Sequence, residues 1–229
     1  MPNPFGRDGL GLSARQCADA KVDPEIRAQA CTAVIEHPDL SPRELSAAYN
    51  DRGLARERQD RIPEAMADWA AAVRIWPKDA SARLNRGSVF REQGKYDEAL
   101  TEYDAALRGD PMNASALNNR CYLRAMVGQD LDLALADCNS ALRIGRLDPR
   151  ALDSRGFTHL MRKEPAEALA DYNGALRLDP EAAHALYGRG LAELQLGRLD
   201  EARADMREAL ALRSGVAADY NAAGLKPKR

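Results

Sequence analysis

The residues of this chain that could do chemistry are four cysteines, three histidines and many arginines placed near carboxylates. Cys17, Cys31, Cys121 and Cys138 fall as two pairs close in sequence. No CxxC motif or His–Cys cluster is present, so a zinc site lacks the usual ligand spacing. Cys121 and Cys138 are either a disulfide or a pair of buried thiols acting as small hydrophobes. A thiol redox role is a third reading, and it would need an exposed thiolate of lowered pKa. His37 precedes Pro38 at a helix end, where the dipole favours a cation. His159 falls at a packed position, which leaves His184 as the one histidine that reads as a ligand contact. No Ser-His-Asp arrangement, phosphate-cradling glycine loop or metal motif can be assembled. The expectation is therefore no catalytic residue, no metal and no cofactor. Asn113-Ala114-Ser115 matches the glycosylation sequon only at chance frequency.

What positions these residues is a repeated helical unit. In the 34 residues Ala80–Asn113, the apolar Tyr96, Ala99, Leu100, Tyr103, Ala106 and Leu107 share one face of a helix. Asp97 and Glu98 favour its N-terminus, and Asp110-Pro111 stops it. A first helix, Ser81 to Gln93, ends at Gly94, which tolerates a left-handed cap. Numbering the unit from Ala80, position 20 is alanine at Ala65, Ala99, Ala134, Ala168 and Ala202. Position 27 is alanine at Ala72, Ala106, Ala141, Ala175 and Ala209. Position 8 is Gly53, Gly87, Cys121, Gly156 and Gly190; position 24 is Trp69, Tyr103, Cys138, Tyr172 and Met206. Small residues where helices cross, with large ones beside them, suit close antiparallel packing. Positions 8 and 24 face each other at nearly one height, so a Cys121–Cys138 bridge is geometrically reasonable.

With this period and small/large pattern the chain resembles the tetratricopeptide repeat family over about nine tenths of its length. The resemblance implies an all-α, right-handed superhelical solenoid. Five units fall at 46–79, 80–113, 114–148, 149–182 and 183–216. An irregular arm (residues 1–12), expected to end in a short helix that reaches Cys17, and a half repeat precede them within 1–45, and a capping helix with a basic tail follows at 217–229. The third unit carries one extra residue near 128–132, which a turn can absorb. Two positions depart from the family: position 7 is arginine throughout, and position 11 is Arg56, Phe90, Arg124, His159 and Glu193.

Each position 7 arginine has an acid at position 23 of its unit. The pairs are Arg52 and Asp68, Arg86 and Glu102, Arg120 and Asp137, Arg155 and Asp171, and Arg189 and Asp205. Such repetition predicts a ladder of ion pairs, either within a unit or from one unit's acid to the next unit's arginine.

Composition narrows the partners. A net charge of −2 and a pI near 6.0 disfavour nucleic acid, whose grooves are strongly basic. No apolar run reaches the roughly 18 residues of a membrane-spanning helix, so membrane insertion is not expected. The family resemblance implies a concave wall of first helices. Carried onto this sequence, that wall holds Asn85, Arg91, Asn118, Asn119, Tyr122, Met126, Phe157, Met161, His184, Tyr187 and Leu191. Amides there suit a peptide backbone and aromatics its side chains. The alternative is that Tyr122, Phe157, Leu160 and Leu194 pack between neighbouring first helices. The wall lacks the basic clamp of chaperone-binding members, since Ser115 and Asn119 stand at those positions.

The function implied is a non-catalytic adaptor for a protein or peptide segment; a self-associating module, such as a homodimer, is the alternative. The run from Cys17 through ACTAVIE to AAYNDRG resembles exported bacterial members whose two cysteines staple the half repeat. That resemblance implies a Cys17–Cys31 staple and a periplasmic location, and an oxidising compartment tips Cys121–Cys138 toward a disulfide. The opening residues lack a signal peptide's apolar core, so either the protein is cytoplasmic or a leader has been removed, and the cysteine pairs favour the second.

Overall fold

The computed structural model describes residues 7–145 and 148–227, in which there are thirteen α-helices and no strand. The first six residues of the expected arm, residues 146–147 and the last two of the basic tail lie outside the described residues. The chain folds as two compact units, residues 1–111 and 112–229.

The first unit holds α1 (Arg7–Ala18), α2 (Pro24–Ile35), α3 (Pro42–Glu57), α4 (Ile62–Ile75), α5 (Ala80–Glu92) and α6 (Tyr96–Gly109). The second holds α7 (Ala114–Val127), α8 (Leu131–Gly145), α9 (Pro149–Met161), α10 (Pro165–Leu178), α11 (Ala183–Gln195), α12 (Leu199–Leu212) and α13 (Val216–Ala222). In both, consecutive helices pair as hairpins, and hairpins stack on their neighbours within the unit.

The short helix expected to end the arm and reach Cys17 is α1, which takes in residues 7–12 of that arm as well. Within residues 7–12 Gly9 and Gly11 oppose a helix, and each costs about 1 kcal/mol. The other end of α1 is tied down: Arg27 Nε donates to the Cys17 carbonyl at 2.8 Å, and Cys17 is bonded to Cys31.

Helix starts follow local chemistry. Ser41 and Glu44 form a reciprocal capping box on α3. Asp79, Asn113 and Asp148 cap α5, α7 and α9 by accepting backbone N–H bonds. Every hairpin turn has a left-handed residue at position 15: Asp60 (φ 59°), Gly94 (73°), Gly128 (69°), Lys163 (63°) and Gly197 (81°). The third turn adds a second, Asp130 (φ 47°), where its extra residue is taken up.

In the second unit one continuous buried cluster runs from Cys121 of α7 to Tyr220 of α13. The alanines at positions 20 and 27 are buried, and beside them Trp69, Tyr103 and Tyr172 are fully enclosed. A Cβ on Gly87 would lie 2.5 Å from Tyr103 Cε1, and one on Gly156 3.1 Å from Tyr172 Cε1. Only glycine allows those rings to lie so close to the facing helix.

Candidate docking wall

Arginine–carboxylate pairs join the two helices of each hairpin on which any site is built. In each hairpin the position 7 arginine meets the position 23 acid of the same hairpin. The distances are 2.8 Å for Arg52–Asp68, 3.0 Å for Arg86–Glu102, and 2.6 Å for both Arg120–Asp137 and Arg155–Asp171. Arg189 Nη2 donates to Asp205 at 2.8 Å. The guanidiniums of Arg52, Arg155 and Arg189 also reach the preceding helix. Arg52 donates to Thr32 of α2, Arg155 to Asn139 of α8 and Arg189 to Asn173 of α10. One planar fork thus binds its own hairpin through a carboxylate and its neighbour through a neutral oxygen. Position 11 adds a second cation in the first and third hairpins, where Arg56 and Arg124 also bind the acid. In the fifth it supplies Glu193 instead, buried near Asp205. Burial and the Asp205 charge push the Glu193 carboxyl above its ordinary range, although Arg189 opposes them.

Both cysteine pairs are disulfides, Cys17–Cys31 holding α1 to α2 and Cys121–Cys138 holding α7 to α8. Cys121 and Cys138 are fully buried.

In the first unit, Asn85 of α5 donates to Asn50 of α3 at 2.8 Å, so these two amides satisfy each other across neighbouring helices. Arg91 is half-buried, with its guanidinium 3.4 Å from Glu92.

In the second unit the first helices α7, α9 and α11 are neighbours. Tyr122 on α7 packs on Phe157 of α9 at 5.3 Å, and Phe157 lies 6.0 Å from the His184 ring of α11. These rings belong to one surface, but not all of it is open. Phe157, Tyr187 and Leu191 are buried, as is Leu160, so packing between first helices consumes them. Asn118, Asn119, Tyr122, Met126, Met161 and His184 stay half-buried. Asn118 Oδ1 is enclosed and has no hydrogen-bond partner among the described residues.

Tyr220 of α13 is what closes the far end. It stacks on His184 at 4.5 Å and approaches Phe157 and Tyr187 edge-on or tilted. Its hydroxyl donates to the His184 carbonyl at 2.9 Å and lies 3.2 Å from the Tyr172 hydroxyl. His184 Nδ1 sits 2.7 Å from the Asp153 carboxylate. Burial pushes the Tyr172 and Tyr220 phenols well above their ordinary range, so both are neutral hydroxyls. The seat for Tyr220 exists because Gly188 has no Cβ; one would overlap both phenols. Sequence reasoning missed Tyr220 and Gly188 as a pair. The available signal was glycine at position 6, where the other units carry Asp51, Asn85, Asn119 and Ser154.

Models of the tetratricopeptide repeat match residues 87–128 and 160–217. This is a tetratricopeptide-repeat protein. Its similarity to solved tetratricopeptide-repeat structures extends over most of the chain. A tetratricopeptide repeat protein of Parabacteroides merdae is 21% identical, with a TM-score of 0.70 over 96% of this chain and 93% of that one. YrrB, described as a TPR protein with an unusual peptide-binding site, is 21% identical with a TM-score of 0.61, covering 86% and 100%. A MamA fragment from Desulfovibrio magneticus is 18% identical with a TM-score of 0.61, covering 74% and 96%. No curated protein matches the sequence of this tetratricopeptide-repeat protein. Among its described residues no helix is long and apolar enough to cross a membrane.

Proposed function

We propose that this protein is a docking module that holds an extended segment of a partner protein along the α7 wall of its second unit. The observation that carries this is the row Asn118, Asn119, Tyr122 and Met126. These half-buried side chains sit on one helix, and the row includes an enclosed amide oxygen with no partner among the described residues. An amide offers a donor and an acceptor to a passing backbone, while a ring and a thioether take side chains without demanding one shape. The wall is shorter than its residue types suggest, because Phe157, Tyr187 and Leu191 belong to the core and Tyr220 covers the α11 end. YrrB, which shares this fold, is named for a peptide-binding site. Two buried disulfides suit an oxidising compartment, and the periplasm is the one this reading favours.

Site-directed photocrosslinking tests the reading. Benzoylphenylalanine at position 122 should capture a defined partner segment, whereas the same probe at the exposed Leu133 of α8 should not. Equal capture at both positions, or none at 122, overturns the assignment.

A second reading, self-association, is favoured by the exposed Leu199, Leu210 and Leu212 of α12 with Leu196 just before it. Light scattering that rises with protein concentration would support it, and a concentration-independent monomer would exclude it.

A further inference from the structure

Four hairpins close in one way and the third in another. In those four, a glycine on the first helix lies under a bulky side chain on the second. The pairs are Gly53 with Trp69, Gly87 with Tyr103, Gly156 with Tyr172 and Gly190 with Met206; a Cβ on any of these glycines would come within 3.1 Å of its partner. In the third hairpin the same two positions are Cys121 and Cys138, fully buried and joined across 5.5 Å between Cα atoms. Neither of these two positions carries a large side chain. A covalent bond stands where the other hairpins bury a ring or a thioether, and breaking it leaves two small thiols that supply neither constraint nor bulk. Cys121 is on α7, the helix that carries Asn118, Asn119, Tyr122 and Met126.

We propose that the Cys121–Cys138 bond is an oxidation-dependent clasp on the third hairpin, so that the α7 wall is built only in chains cross-linked at these residues. The use of that wall rests on the docking reading above; the clasp itself does not. Both sulfurs are withdrawn from solvent, so exchange takes place before α7 packs on α8 or after the hairpin opens. One cysteine, as thiolate, attacks a disulfide donor, either an oxidoreductase or oxidised glutathione. A mixed disulfide forms, and the second thiolate then displaces the donor sulfur. One S–S bond is made for each one broken. The two cysteines lose two electrons and two protons, and the donor leaves as the corresponding dithiol or pair of thiols.

Residue-resolved amide hydrogen exchange on the full chain tests the clasp. Four samples are compared: oxidised wild type, wild type refolded under dithiothreitol, Cys121→Ala/Cys138→Ala, and Cys121→Gly/Cys138→Tyr. The alanine variant keeps the Cys17–Cys31 bond and isolates the clasp. Protection in α7 and α8 should fall on the order of a hundredfold in the reduced and alanine samples, with α11 and α12 little changed. The glycine–tyrosine pair, which copies the second and fourth hairpins, should restore protection and make α7–α8 indifferent to reductant. Undiminished α7–α8 protection in the alanine variant or in the reduced chain overturns the proposal. Those two samples decide it even if the glycine–tyrosine variant does not fold. Partner capture plays no part in this readout. Lost protection without any crosslink at position 122 in the oxidised chain sinks the docking reading and leaves the clasp; undiminished protection with a crosslink at 122 sinks the clasp and leaves the docking.

Discussion

The ring of Tyr103 lies so close over Gly87 that a methyl group there would sit 2.5 Å from Cε1. Alanine improves helix propensity by about 1 kcal/mol over glycine, so on an exposed surface Gly87→Ala would stabilise. Here the fully buried ring has nowhere to move, and overpacking costs roughly 1–3 kcal/mol. Gly87→Ala should therefore lower the urea midpoint, and Tyr103→Ala should lower it further, by about 3–5 kcal/mol. A midpoint raised by Gly87→Ala would show that the ring yields.

Arginines at position 7 should not be equal. Asp137 is held by both Arg120 and Arg124 at 2.6 Å, whereas the cationic partners of Asp171 among the described residues are Arg155 at 2.6 Å and His159 at 3.7 Å. Removing Arg155 leaves a buried carboxylate without a close cation, which costs about 3 kcal/mol. Arg155→Met should therefore destabilise more than Arg120→Met, for which about 1 kcal/mol is expected. Denaturant melts of the two variants check the order.

Lys163 occupies the left-handed turn position that glycine holds in three of the hairpins, at φ 63°. An L-residue there costs about 1 kcal/mol. Lys163→Gly should raise stability by somewhat less than that, because glycine also loses more backbone freedom on folding. A thermal midpoint raised by a few degrees is the expected result.

Glu193 gives the fifth hairpin a pH dependence. Burial, reinforced by Asp205, raises its folded pKa above the unfolded value, so the folded chain binds the proton more tightly. This group's stabilising contribution is complete below the unfolded pKa, about 4.3, and is lost as pH rises through the folded value. Glu193→Gln mimics the protonated form. The variant should be more stable than wild type at pH 7, and the gap should narrow as pH falls toward 4. Urea melts across that range would show it; a gap that is constant or widens with acid contradicts the assignment.

The hairpins were legible in the sequence because their determinants lie inside a single 34-residue unit. Gly87 and Tyr103 meet through two helices and one turn, and helical spacing brings them together; that Arg155 pairs with Asp171 of its own unit, and not with a neighbouring unit's acid, was decided by the structure. The same locality made the Cys121–Cys138 pairing geometrically reasonable. The α1 helix was less legible, since its glycines weaken the local signal and its anchor, Arg27 on the Cys17 carbonyl, comes from the next helix.

The openness of the wall was settled only by tertiary structure. Phe157 and Tyr122 hold the same position 9 in neighbouring units, yet Phe157 is fully buried and Tyr122 only half-buried. Tyr220, far beyond Phe157 in the chain, packs edge-on against the Phe157 ring at 5.4 Å and helps to cover it. Exposure depends on every neighbour a side chain acquires, including those remote in sequence, and a repeat pattern contains only the near ones. The chain therefore wrote its helices and their small-against-large closures into local spacing, while the surface left for a partner was decided by which distant side chains came to rest on it.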